Sequence, residues 1–157
     1  MAGRSPVDRG TQGWKRSGMT DGYGIPLGRV LAGANCRDSP LLAPTLDRLG
    51  PLPDEVTVHL DAGYDSNKIR TMLDERGLHG RIAHTGEKAP IQASRRWHVE
   101  RTHAWQNAFH RLARCYERRA PVVHAFFDLT DTIITVRSLI RRAWMTHRMD
   151  ERPNRRP

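Results

Sequence analysis

Cysteine, lysine and long apolar runs are what this 157-residue chain has least of. Its two cysteines, Cys36 and Cys115, stand far apart and neither belongs to a C-x-x-C pair. That argues against a zinc site or a disulfide framework, and both are read as reduced, partly buried thiols. No apolar run approaches the roughly 20 residues that a bilayer crossing needs. The N-terminus lacks the charged-then-apolar order of a signal peptide. The expectation is a soluble, cytoplasmic protein with no membrane partner. Acidic residues are also scarce, with 17 Asp and Glu against 26 Lys and Arg, for a net charge of +9. Only three of the basic residues are lysines (Lys15, Lys68 and Lys88), which leaves 23 arginines.

That balance favours a polyanionic partner, because each neutralised phosphate releases condensed counterions. Arginine also grips phosphate through a two-pronged fork that lysine lacks. A solvated basic surface, or an arginine bias inherited from GC-rich coding DNA, is the plain alternative. The length suits one domain with a real core.

Along the chain, residues 1–14 are rich in Gly, Ser, Pro and Arg, have no apolar period and read as irregular. Lys15–Asp21 and Ile25–Gly33, joined by Asp21-Gly22-Tyr23-Gly24, carry a hairpin signal. Asp38 or Ser39 can cap a helix with Pro40 in its first turn, followed by Leu41, Leu42, Thr45, Leu46 and Leu49 at helical spacing. Val56–Leu60 is a β-branched, alternating strand that ends at Asp61. Asp65 or Ser66 starts a helix that Gly77 closes. Gly80–His84 reads as a short strand and Thr85–Gln92 as a polar loop. From Ser94 one long helix is expected through Trp97, Ala104, Leu112 and Tyr116, broken at Arg118-Arg119-Ala120-Pro121. A last helix carries Val122, Phe126, Leu129, Ile133, Val136 and Ile140. The body of the protein is therefore 15–144, and 145–157 reads as a disordered basic tail. The order of strands and helices predicts an α/β layer arrangement with a mixed sheet flanked by helices.

Two carboxylates hold the chemical interest. Asp61 follows a strand directly, at the end of an α/β sheet where ligands gather, and Gly63 allows a tight exit. Taken alone, it is first a turn-forming Asp. Glu100 stands four residues after Arg96 and three before His103, so the three share a helix face. Taken alone, Arg96 and Glu100 make an ordinary surface ion pair. Together the two acids suit a different task. Hard divalent ions prefer oxygen ligands, and two such ions about 3.5–4 Å apart can clamp an in-line phosphoryl displacement. Carboxylates converging from a strand end and a helix supply that arrangement.

The surrounding residues are more specific. HLDAGYDS (His59–Ser66) resembles the D-x-G-Y-D/S turn of bacterial insertion-sequence DDE transposases. RRWHVERTHAWQNAFHRLARCYERR (Arg95–Arg119) resembles their R-W-x-V-E-R-T-x-A-W-x-x-x-F-R-R-L-x-x-x-Y-E-R signature. GIPLGRVLAGANCRDSPLLAPTLDRL resembles the strand and helix between the first and second catalytic acids. The resemblance runs from about Ser5 to Ala143. It implies an RNase H-like mixed sheet flanked by helices and truncated at its N-terminal strand. Asp61 and Glu100 would be the second and third metal-binding catalytic acids, with Mg²⁺ or Mn²⁺ as cofactor. Transposon-end and target DNA would be partners, at the nucleoid, along with a homo-oligomer or a full-length transposase. Lys88, Arg95, Arg96, Arg111 and Arg114 are candidate DNA contacts.

There are departures. In the family a tyrosine stands where this chain has Ala93 and a lysine where it has Asn107, so Arg111 and Arg114 are candidates to replace that charge. The family's first Asp lies on a strand in a D-S-x-x-V-R-A context, and no such strand precedes Ser5; Asp8 and Asp21 lack the strand setting. The resemblance therefore implies DNA strand cleavage and transfer for the family, with this chain expected to be inactive alone. A non-catalytic remnant that binds DNA or a transposase, and a structure-specific nuclease, are the other readings. His98 and His103, five apart, are poorly spaced for a helical metal pair; His124 is read as structural, and Trp97 and Trp105 as core residues rather than base-stacking groups. Arg141 and Arg142 with the basic tail could bind DNA nonspecifically.

Overall fold

In the computed structural model, residues 2–6, 10, 12–84 and 92–148 are described, with backbone only at 92–97 and 147–148. The expected hairpin forms its centre. Strand β2 (Gln12–Thr20) pairs antiparallel with β3 (Pro26–Gly33), Ser17 opposite Val30 and Trp14 opposite Gly33. A two-residue strand, β1 (Gly3–Arg4), pairs with the start of β2. Strand structure thus reaches into the 1–14 stretch read as irregular.

Because side chains alternate along a strand, β2 serves two faces. Ser17 and Met19 point to helix α1 (Leu42–Asp47): Thr45 Oγ1 lies 2.8 Å from Ser17 Oγ, and Met19 packs on the cluster that contains Leu42 and Leu46. Trp14 and Arg16 point the other way, to α3 (Gln92–Asn107) and α5 (Ala120–Arg148).

Strand β4 (Thr57–Leu60) pairs in parallel with β5 (His79–Ile82), and α2 (Asn67–Glu75) connects them. Val58 and Leu60 turn one face onto Leu42, Leu46, Ile69, Leu73, Leu78 and Ile82, which form the main core. Asp38 makes no cap bond; it pairs with Lys15 Nζ at 2.9 Å, while Pro40 sits in the 3₁₀ turn that leads into α1. At α2 the cap falls to Ser66, whose Oγ accepts from the Ile69 N–H, and Gly77 takes φ +66° just past the helix end.

The α/β class is as expected, but the strands of the described residues form two sheets, β1-β2-β3 and β4-β5. No backbone ladder joins β2 to β4; Met19 of β2 packs on the core cluster to which β4 gives Val58 and Leu60, and Ser17 meets Thr45 of α1.

The helices differ from expectation in two places. The long helix from Ser94 breaks after Asn107: Phe109 leaves helical geometry (φ −84°, ψ 107°) and α4 (His110–Ala113) starts on a new axis. The break brings Phe109 and Leu112 onto Val123 and Phe127 of α5 in a second core. Helix α5 continues to Arg148, past the Met145 boundary read from the sequence. Cys36 and Cys115 are exposed rather than partly buried. No helix among the described residues is long and apolar enough to cross a membrane.

Leu73 is 1 % exposed at the centre of the main core, and its Cδ1 lies against the glycine position of Gly80. Replacing it with Ala is expected to cost about 2–5 kcal/mol, from lost transfer energy plus the cavity left behind. Urea unfolding of Leu73→Ala against the parent chain measures this.

Candidate functional site

Asp61 closes β4 with extended backbone (φ −80°, ψ 174°), and its Oδ1 accepts from the Gly63 N–H at 2.9 Å. It therefore caps the short turn Ala62–Tyr64 and is exposed. Its other oxygen takes no hydrogen bond among the described residues. Tyr64 anchors this turn: it packs against the main core and hydrogen-bonds Ser17 on β2. Its phenol pKa is pushed up to about 12, first by burial and then by the negative charges of Asp38 and Asp61, with the Ser17 bond opposing. Tyr64 belongs to the D-x-G-Y turn, but sequence reasoning gave it no role; its four-residue distance from a strand end was the available signal.

Glu100 lies on α3, exposed, with no hydrogen bond or ion pair among the described residues. What fixes it is the docking of its helix. Two residues on, Thr102 is 1 % exposed, and its Oγ1 is 2.6 Å from the Gly24 carbonyl and 2.9 Å from that of His98. A hydroxyl has one proton to donate, and the shorter distance assigns it to Gly24. Arg101 donates to the Tyr23 carbonyl and stacks over Trp105, 4.9 Å from the ring centroid. Trp105 is thus a surface residue, 36 % exposed, not the core residue expected. The receiving turn is preorganised, since Asp21 Oδ1 accepts from both Tyr23 N and Ile25 N at 2.8 Å. Gly24 has φ +83°, and a Cβ there would stand 2.9 Å from Arg101 Nη2 and 3.2 Å from Thr102 Oγ1. Only glycine meets both demands cheaply.

Further along α3, Arg16 reaches from β2 to Asn107 Oδ1 at 2.9 Å and to the His103 carbonyl at 3.4 Å. Gln106, 4 % exposed, donates to Asp131 Oδ1 of α5 at 2.6 Å. Arg29 of β3 bonds Asp131, Asp128 and the His124 carbonyl at once. Burial still raises the Asp131 pKa; its bonds to Gln106 and Arg29 oppose this, and the charge of Asp128 adds to it. Arg16 and Arg29 also lie over the Phe127 ring, 5.8 and 5.0 Å from its centroid. None of these four polar residues was singled out from the sequence, because a β-strand arginine and a helical glutamine have no local signature.

Of Arg96, Glu100 and His103, expected on one helix face, the side chain of Arg96 lies outside the described residues. His103 is half-buried beside Arg16, and its pKa falls to about 4 through burial, with the Arg16 charge adding. Lys88 lies outside the described residues, as do the side chains of Arg95 and Arg96. Arg111 is taken up by Glu117, at 3.0 Å, and by the Phe126 ring, whereas Arg114 is exposed at the end of α4. Both acids are thus anchored through one hairpin, but no bond joins them. Among the described residues no three His, Cys, Asp or Glu side chains stand together as an ion site. Asp61 and Glu100 offer the hard carboxylate oxygens that divalent ions prefer, one at a strand end and one on a helix.

Thr102→Val keeps the shape, removes the donor and leaves the Gly24 carbonyl buried without it; the expected loss is about 1–3 kcal/mol. Thr102→Ser is expected to retain most of the stability, and urea unfolding of both variants checks the pair. For His103 the folded pKa lies below the ordinary 6.5, so between those values the unfolded chain binds more protons. The stability it supports is complete above about pH 6.5 and declines as pH falls towards about 4. His103→Gln is expected to flatten that part of the stability–pH profile.

Comparison with known proteins follows the same residues. Residues 58–137, from β4 to the middle of α5, match the family model described as "Transposase DDE domain". The "Putative transposase for insertion sequence element IS402" of Burkholderia cepacia is 38 % identical over 148 residues, a match covering 88 % of this chain and 70 % of that protein. No solved structure matches. With both carboxylates and their anchors Tyr64 and Thr102 inside the matched region, the chain belongs to the DDE-type insertion-sequence transposases.

Proposed function

We propose that this chain is a DNA-transposition protein that keeps two of the three acids of a cleavage site, Asp61 and Glu100, and does not cut DNA by itself. The observation that carries the proposal is the state of those acids. Both are exposed and free of cationic partners among the described residues, although arginine is abundant around them. A carboxylate with no ion-pair partner among the described residues can take up an external cation; the side chain of Arg96, four residues before Glu100, lies outside them. Family membership supplies the reaction class, DNA transposition, and the family generally uses divalent metal.

In this reading residues 15–144 are a partial RNase H-like catalytic domain. The short parallel pair β4-β5 presents Asp61 and the β2–β3 hairpin fixes the helix of Glu100. When bound, Mg²⁺ or Mn²⁺ would supply activation of the attacking oxygen and stabilisation of the leaving one. Two carboxylates are a small set for that task, since Mg²⁺ asks for near-octahedral oxygen coordination. The chain's own part is to hold them at fixed places and to meet DNA. For the latter, Arg114 is the exposed candidate; Lys88, Arg95 and Arg96 remain assigned from the motif. Arg111 contributes less in this reading, because Glu117 already neutralises it. Arg16, the cation that touches Asn107, brings positive charge to the position where relatives in the wider family carry lysine. The non-catalytic alternative for the isolated chain is a protein that binds DNA or a full-length transposase.

Purified chain is expected to bind duplex DNA with an affinity that falls linearly with salt on logarithmic axes. It is expected to leave supercoiled plasmid intact in Mg²⁺ or Mn²⁺. Nicking by the parent chain that disappears in Glu100→Ala would overturn the proposed inactivity. Failure to bind DNA at low salt would overturn the DNA-facing role.

A further inference from the structure

The hairpin turn that receives α3 carries an exposed aromatic ring. Tyr23 stands at its tip and is 64 % exposed. Asp21 Oδ1 fixes the backbone around it by accepting from Tyr23 N and Ile25 N. Arg101 of α3 donates to the Tyr23 carbonyl, and Thr102 to that of Gly24. The ring is held as well, because Arg142 of α5 lies over it with its guanidinium carbon 3.7 Å from the centroid. Arg101 in turn lies over Trp105, which is 36 % exposed. Two aromatic residues thus stand at one surface, each backed by an arginine, and Arg101 touches both. Glu100 precedes Arg101 in the same turn of α3.

The two arginines are not spent on carboxylates. Neither makes an ion pair among the described residues. Arg101 Nε and Arg142 Nη2 also have no hydrogen-bond partner there. Their charge is therefore left to act on an external group, beside rings that they keep in place. A guanidinium covers one face of a ring, and the exposure of Tyr23 shows that the rest of its ring meets solvent.

We propose that Tyr23 and Trp105 stack unpaired bases of a DNA end that lies beside Glu100. The chemistry selects that partner. A duplex presents its phosphates and base edges, because stacked neighbours cover the base faces, so a flat ring gains little from it. An unpaired base has a free face, and aromatic side chains next to basic groups hold such bases without regard to sequence. Arginine adds attraction for the phosphates of the same strand. A ring already fixed by its arginine loses little freedom on binding. Tyr23 and Arg142 both lie outside residues 58–137, the segment that matches the family model.

This inference rests on the DNA-facing reading above and deepens it by naming unpaired bases as what this edge of the site binds. The test is fluorescence anisotropy of the full chain at one fixed salt concentration, without metal. The probes are a labelled duplex with a single-stranded thymidine tail and a blunt duplex with the same number of phosphates. The tailed probe is expected to bind more tightly. Tyr23→Ala and Trp105→Leu are each expected to lower the ratio of tailed to blunt affinity at least about fivefold. Tyr23→Phe is expected to keep the ratio, since the ring and not the hydroxyl stacks. Equal affinity of the parent chain for the two probes overturns the proposal. So does a ratio that survives Tyr23→Ala and Trp105→Leu together, which places the tail elsewhere. An equal loss on both probes overturns it too, because the rings then serve structure only. A chain that binds neither probe at low salt overturns the DNA-facing reading as well, whereas one that binds both alike overturns this inference alone.

Discussion

The alternation of side chains along β2 is the constraint on which the rest of the structure depends. Ser17 and Met19 reach α1 and the main core; Trp14 and Arg16 reach α3, α5 and the second core. A slip of one residue in pairing would exchange the two sets. Ser17 would leave Thr45 and Tyr64, and Arg16 would leave Asn107. Both acids would lose their supports together, although neither lies on the strand that moved. The register is held by β3, whose Arg29 is pinned to α5 through Asp128 and Asp131.

Polar contacts do much of the positioning here, and their energetics differ from those of the core. The main core is aliphatic and gains from burial without demanding direction. The contacts of α3 are directional: Thr102 to Gly24, Arg101 to Tyr23, Arg16 to Asn107, Gln106 to Asp131. Each adds only about 0.5–1.5 kcal/mol net, yet the loss of one partner strands a buried group. A helix docked in this way resists rotation about its axis more than an oily helix does, and rotation is what would displace Glu100. Asp131 shows the strain of the scheme, since burial works against its charge while Arg29 is shared with Asp128.

Much of the fold could be read in the sequence where the signal was local. The Asp21–Gly24 turn, the alternation of Val56–Leu60, the stop at Gly77 and the apolar face of α5 each act over a few residues, and each element formed. The break at Phe109 was not legible, because Ala104, Leu112 and Tyr116 keep helical spacing across it; the second core, made with distant Trp14 and Leu31, decides the bend. The splitting of the sheet was hidden too, since strand propensity does not say which edges will find each other. For the site, Asp61 and Glu100 were visible through motif and position. Their supports were not: Ser17, Gly24 and Arg16 act at sequence separations of 28 to 91 residues.

That division bears on how ancestry and activity relate in this chain. The family match spans 58–137 and so takes in both acids, Tyr64, Thr102, Asn107 and Asp131. Each of the last four binds a residue of the hairpin that lies outside the match: Tyr64 to Ser17, Thr102 to Gly24, Asn107 to Arg16, Asp131 to Arg29. The acid-bearing segment is therefore tied to β2, β3 and their turn by polar contacts, besides the apolar core it shares with α1. A hairpin that served only to fill volume could be replaced by any apolar pair of strands. This one supplies four separate polar contacts, to three elements of the matched region: the Ala62–Tyr64 turn, α3 and α5. Their combined effect is to keep the strand-end acid Asp61 and the helix acid Glu100 on a common frame.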